Sequence, residues 1–234
     1  DANLLTGTVR DDVGQPIASV DLDLFDTATG EEYVANNDNT NDEGMFSVLV
    51  PGLTWDIYFT PPLGEPYAGL VLLGVAVDGP TSVGTLTMED GLLVSANVLD
   101  PAFQGVPNTD TDFLDIATGA EIFTPRDNTD NNGHLAVYVP YGTYDVVINA
   151  PAGSGLAWKT VYDVVVAGAV NLGNVQLQVG YAVTGTLRNQ AAQPVGGADL
   201  DMKIRSTGND LPTPDDNSNA SGQFSLLPPA ATFD

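Results

Sequence analysis

Three stretches of the chain carry one set of functional groups. Asp38–Gly44 reads "DNTNDEG", Asp127–Gly133 reads "DNTDNNG" and Asp216–Gly222 reads "DNSNASG", with successive copies 89 residues apart. Each brings carboxylate, amide and hydroxyl oxygens into a short loop closed by glycine. Such a loop can hold a hard cation, carry a sugar, make a contact surface, or simply turn the chain. Calcium takes about six to eight oxygens at about 2.3–2.6 Å. An acidic strand before each loop offers Asp21 and Asp23, Asp110 and Asp112, Asp199 and Asp201. If strand and loop meet, these carboxylates join Asp38 and Asn39, Asp127 and Asn128, Asp216 and Asn217 around one ion. Read from Asn39, the loop fits the first half of an EF-hand, but Val50, Val139 and Pro228 stand where its bidentate Glu is needed. A turn needs no ion: Asp and Asn bond their own backbone, and Gly44 supplies a positive φ.

Hydroxyls recur in the same way. Thr29, Thr118 and Thr207 form one column, and Thr40, Thr129 and Ser218 another. In exposed loops these would suit O-linked sugars, which shield a surface. One N-linked sequon, Asn219-Ala-Ser221, is not repeated.

Catalysis finds little support. Paired carboxylates can hydrolyse glycosides, but three copies of one pair on three small units do not build one cleft. The single His134 allows no imidazole cluster, and the absence of Cys removes thiol nucleophiles, disulfides and thiolate metal sites. We expect no enzyme. With 6 Lys and Arg against 31 Asp and Glu, the net charge is −25. That surface repels nucleic acid and anionic membranes. The longest apolar run, Ala68–Val77, is too short to span a bilayer. No leader peptide is read at the start of the chain.

The elements that must position these residues are also repeated. Shifting the sequence by 89 aligns it with itself without a gap, and 11 columns are identical in all three copies. The third copy stops 33 positions short, which we read as a window on a longer array; completion of its sheet by a neighbouring chain ranks below that. "VDLDLFD" (Val20–Asp26) alternates apolar and polar residues with a period of two, so one face is buried and one wet. Met45–Val50, Trp55–Phe59 and Val83–Met88 are further strands, and Leu70–Val77 reads as a strand buried on both faces. Trp55, Tyr144 and Phe233 share a column that belongs in the core. Trp158 is an unrepeated surface or joint contact. Turn residues separate the strands and no segment has helical periodicity. The chain is therefore expected to be all-β, an array of about seven-stranded sandwiches over residues 1–90, 91–179 and 180–234, the last incomplete. Short links free of flexible spacers, as in Thr87–Ala96, favour a rod.

The pattern "GTVRDDVGQPIASVDLDLFDTATG…DEGMFSVLVPGLTWDI" resembles carboxypeptidase regulatory-like (transthyretin-like) modules and the B-type stalk repeats of Gram-positive collagen adhesins. The resemblance covers the first two-thirds of each copy. It implies an Ig-like or transthyretin-like sandwich with a non-catalytic, secreted, stalk-like role at a microbial cell surface. The stalk family's Lys–Asn crosslink cannot recur here, because Lys159 and Lys203 fall in different columns. The expected function is a structural fibre or stalk whose partners are further copies of the repeat, with glycans as a second partner class and calcium as the one cofactor to consider. The alternative is a binding appendage of a larger extracellular enzyme or adhesin, engaging carbohydrate or protein through the acidic loops.

Overall fold

The computed structural model describes residues 2–206, 208, 210–211, 213 and 216–234. They form strands and loops, with no helix among them. The first seven strands are β1 (Ala2–Arg10), β2 (Asp21–Asp26), β3 (Glu32–Tyr33), β4 (Met45–Pro51), β5 (Thr54–Thr60), β6 (Leu70–Ala76) and β7 (Thr81–Thr87). They make two sheets, ordered β4-β1-β7 and β3-β2-β5-β6. Inward residues of both sheets, among them Leu5, Val9, Leu22, Leu24, Val48, Trp55, Ile57 and Phe59, form one buried core. Alternation does this work: Leu22 and Leu24 are buried while Asp21, Asp23 and Phe25 stand on the outer face.

The next seven strands repeat the plan. They are β8 (Leu92–Leu99), β9 (Asp110–Asp115), β10 (Glu121–Ile122), β11 (His134–Val139), β12 (Gly142–Asn149), β13 (Lys159–Val166) and β14 (Val170–Gln176), in sheets β11-β8-β14 and β10-β9-β12-β13. The register agrees residue for residue: Leu5 faces Val48 and Val94 faces Val137. Left-handed backbone positions recur as well. Gly14 has φ 84° and Phe103 62°; Ser19 has φ 60°, Asn108 51° and Gly197 68°; Gly74 has φ 67° and Asp163 56°. Non-glycine residues thus hold conformations that glycine adopts at the matching positions.

Four short strands follow: β15 (Val183–Thr186), β16 (Met202–Lys203), β17 (Asp210–Leu211) and β18 (Gln223–Leu226). β15 pairs with β18 in the register that β1 makes with β4, placing Gly185 opposite Phe224 as Gly7 is opposite Phe46. Glycine is required at both positions, because the facing phenylalanine ring lies where a Cβ would be.

β1 and β7 are parallel, with Leu5 beside Thr81 and Arg10 beside Thr87, and β8 and β14 repeat this. The chain therefore enters each sandwich at one end of the central strand and leaves at the other. One expectation needs correction. Leu70–Val77 does not form a strand buried on both faces: β6 is the sheet's edge, half-exposed, with Leu73 in solvent. A continuous apolar run indicates a buried strand only when both faces are covered, and here the outer face is open.

Candidate functional site: the acidic loops and the joints

Each acidic loop is first a turn fastened to the strand beside it. The side-chain oxygen of Asn41 accepts from the amides of Glu43 (3.1 Å) and Met45 (2.8 Å). Asp130 accepts from Asn132 and His134, and Asn219 from Ser221 and Gln223. Those amide bonds hold the Asp130 carboxyl below the usual range. Gly44, Gly133 and Gly222 follow at φ 72–76°, and a Cβ there would strike the backbone carbonyls of Val9, Val98 and Leu187. The amides of those three residues donate to the glycine carbonyls at 2.7 Å. The single His134, at the start of β11, takes part only through its backbone and a 3.3 Å contact with Asn97.

The hydroxyl column at Thr40, Thr129 and Ser218 was expected in exposed loops, ready for sugar. The structure buries all three. Thr40 Oγ1 donates to Ile17 O (2.7 Å) and accepts from Val20 N (2.9 Å). Thr129 bridges Val106 O and Thr109 N, and Ser218 bridges Val195 O and Ala198 N. The hydroxyl replaces a missing backbone partner where the chain crosses from one sheet to the other, and no space remains for a glycan. Thr29 and Thr118 are exposed, as expected, and bond within their own Asp26 and Asp115 turns. Thr207 lies outside the described residues. Asn219 is exposed, with its oxygen engaged in the turn.

Loop and strand do meet. Asn39 donates to Asp21 Oδ1 at 3.2 Å. Burial raises the Asp23 pKa, and Asp21, Glu32 and Asp38 raise it further. In the second sandwich Asp127 is pushed up to about 6, first by burial and then by Asp110, against a hydrogen bond from Thr124. Burial also raises Glu121 and Asp216, with Asp110 and Asp199 as their respective neighbours. Asp112 stays half-buried on the outer face, while Asp199, Asp201, Asn128 and Asn217 are exposed. Among the described residues no group of three acidic, histidine or cysteine side chains is placed to hold a metal ion.

The joints are the second conserved geometry. Between the first two sandwiches, Ala68 N donates to Glu89 O (3.0 Å) and Gly91 N to Pro66 O (2.7 Å), and Tyr67 bridges to Asp90. The same three links recur 89 residues on: Ala157 N to Gln178 O (2.8 Å), Gly180 N to Gly155 O (2.9 Å), and Leu156 to Val179. Glycine suits positions 91 and 180 because a Cβ there would meet Tyr138 Cβ at 2.6 Å or Leu227 Cβ at 2.9 Å and would crowd the amides of Ala68 and Ala157. Side chains then differ. At the first joint Phe123 stacks edge-on against Tyr58 at 5.0 Å, Tyr58 against Phe25 at 5.3 Å, and Arg126 donates to Pro61 O at 2.8 Å. At the second, Trp158 and Val147 are buried with Met202, Leu211 and Leu226. Trp158 is thus a joint residue, and its Nε1 is buried without a partner among the described residues. Sequence reading missed Tyr58, Phe123 and Arg126, because the residues at their columns in the other copies are of different types.

No protein-family description matches the chain, and no curated protein matches it. Solved structures with partial likeness include the TIE protein of Bacillus anthracis, at 15% identity and TM-score 0.33 over 97% of this chain; the chain spans 43% of that protein. The shaft pilin SpaA of Lactobacillus rhamnosus GG aligns at 12% identity and TM-score 0.31, over 77% of this chain and 99% of the pilin. A streptococcal ancillary pilin aligns at 12% identity and TM-score 0.31, over 97% of this chain and 86% of the pilin. At these scores the sandwich is read from its own sheet order and register, and the likenesses carry no argument about function.

Proposed function

We propose that the chain is a stretch of a secreted, cell-surface fibre or stalk built from 89-residue β-sandwich modules over residues 1–90, 91–179 and 180–234. Its work is mechanical spacing without catalysis, and its partners are further modules of the same kind. The observation that carries this reading is the pair of joints. Both are made by the same three backbone links, although the side chains around them differ. Backbone bonds of fixed register set a fixed step between modules, which loosely tethered binding domains do not need. The parallel first and last strands favour the same reading, since each module passes the chain from one end to the other. The acidic loops act as turns, and their charge keeps neighbouring rods apart. Sugars, where carried, would sit on Thr29 and Thr118.

Small-angle scattering on the purified chain tests this, with electron microscopy of native material. The expected result is one elongated particle of fixed dimensions, and native filaments with an axial period of one or a few modules. A scattering profile that requires an ensemble of inter-module angles would overturn it.

A further inference from the structure

The face that receives the preceding sandwich at the first joint has a counterpart on the first sandwich, where it lies bare. On the second sandwich the residues that meet the preceding one include Phe123, against Tyr58, and the paired residues Leu93 and Tyr138, which face the loop Pro61–Tyr67; all three are half-buried. That loop encloses a cavity with Leu93, Tyr138 and Arg126. The matching residues of the first sandwich are Val34 and the pair Leu4 and Leu49. They are 81%, 40% and 59% exposed. Asn37, matching Arg126, already holds the same left-handed conformation, φ 58° against 61°. The backbone of the receiving loop is therefore formed before anything covers it.

The two occupied joints also follow a size rule. At the first, the ring comes from the receiving side: Phe123 fills the space over Gly69, where a Cβ would lie 2.7 Å from Phe123 Cδ1 and Pro125 Cδ. At the second, the ring comes from the delivering side, because Trp158 stands in the column of Gly69 and is buried against the following unit. At each joint a large ring fills the space at this one column, from one side or the other. Val34 is smaller than Phe123, so a glycine opposite it would leave a void, and voids at apolar contacts are destabilising.

We propose that Val34, Leu4 and Leu49 form a docking surface for the trailing loop of another sandwich of this kind, one with an apolar side chain larger than glycine in the column of Gly69 and Trp158. The proposal deepens the array reading and rests on it.

The test uses the full chain, whose lack of cysteine makes a single reporter thiol clean. Asn36→Cys places the reporter beside Val34, and Glu43→Cys is a control on the acidic loop. Two extended chains carry either residues 91–178, with Trp158, or residues 2–89, with Gly69, directly ahead of Asp1. Both also carry Ala2→Gly, matching Gly91 and Gly180. In the Trp158 extension, thiol labelling at position 36 is expected to slow about tenfold relative to the unextended chain, with position 43 unchanged. The Gly69 extension should protect position 36 far less. Unchanged labelling in both extensions overturns the docking surface, and equal protection in both overturns the size rule. Neither outcome touches the internal joints, which scattering on the unextended chain reports separately.

Discussion

Replacing Thr40 by valine keeps the shape of the side chain and removes its oxygen. Val20 N–H and Ile17 C=O then lose their partner in a buried place. Each such loss costs about 1–3 kcal/mol, so we expect Thr40→Val to destabilise the first sandwich by about 2–4 kcal/mol in urea titrations. Thr29→Val, on an exposed turn, should change stability by less than about 0.5 kcal/mol. Asp127 gives a test with a definite sign. Its pKa of about 6 in the folded chain lies above the ordinary carboxylate value, so the folded state binds the proton more tightly than the unfolded chain does. The resulting stability is present below about pH 4 and is lost as pH rises through 6. Asp127→Asn cannot ionise; its melting temperature should exceed the parent's at pH 7.5 by about 2–4 °C and converge with it near pH 4. Because each acidic loop is already satisfied as a turn, a chelator should leave the melting temperature unchanged. The sequence made the turn legible as one of the loop's readings, since Asx bonds its own backbone and the closing glycine takes a positive φ. It hid the role of Thr40: a hydroxyl between Asn39 and Asn41 looks solvated until the crossing chain is seen above it.

At the scale of elements, strands with strict alternation were readable, and β2, β4 and β5 lie within a residue or so of their expected bounds. β3 and β10, two residues each, are too short to show a period. The edge position of β6 was invisible, because an apolar run says what a strand prefers and not which neighbours it receives. The joints were half-legible: short links showed that something was fixed, but Tyr58, Gly69 and Phe123 find no counterparts of the same type in the next copy. Tyr58 sits opposite Asp23 in the sheet register, so the acidic pair and the joint share one outer face. Gly69→Trp would drive a side chain into Phe123 and Pro125 while leaving both cores intact. We expect hydrogen exchange at the Ala68 and Gly91 amides to quicken at least about tenfold, with core amides unchanged. Exchange that stays slow would show that the backbone links do not depend on the ring contacts.

For the whole molecule, a net charge of −25 offers a control built into the chain. Flexibly joined acidic units spread at low salt and draw together as the screening length falls from about 30 Å at 0.01 M to about 3 Å at 1 M. Units held by backbone bonds do not. The maximum dimension from scattering should therefore be the same at both salt concentrations. The parallel pairing of β1 with β7 has one more consequence. A pull on the two ends of such a module runs along both strands in opposite senses, so it loads their hydrogen bonds in shear, all at once, instead of peeling them apart one by one. The clamp is mechanical: each module should resist tension far beyond what its folding free energy suggests, until the whole row of bonds gives way together.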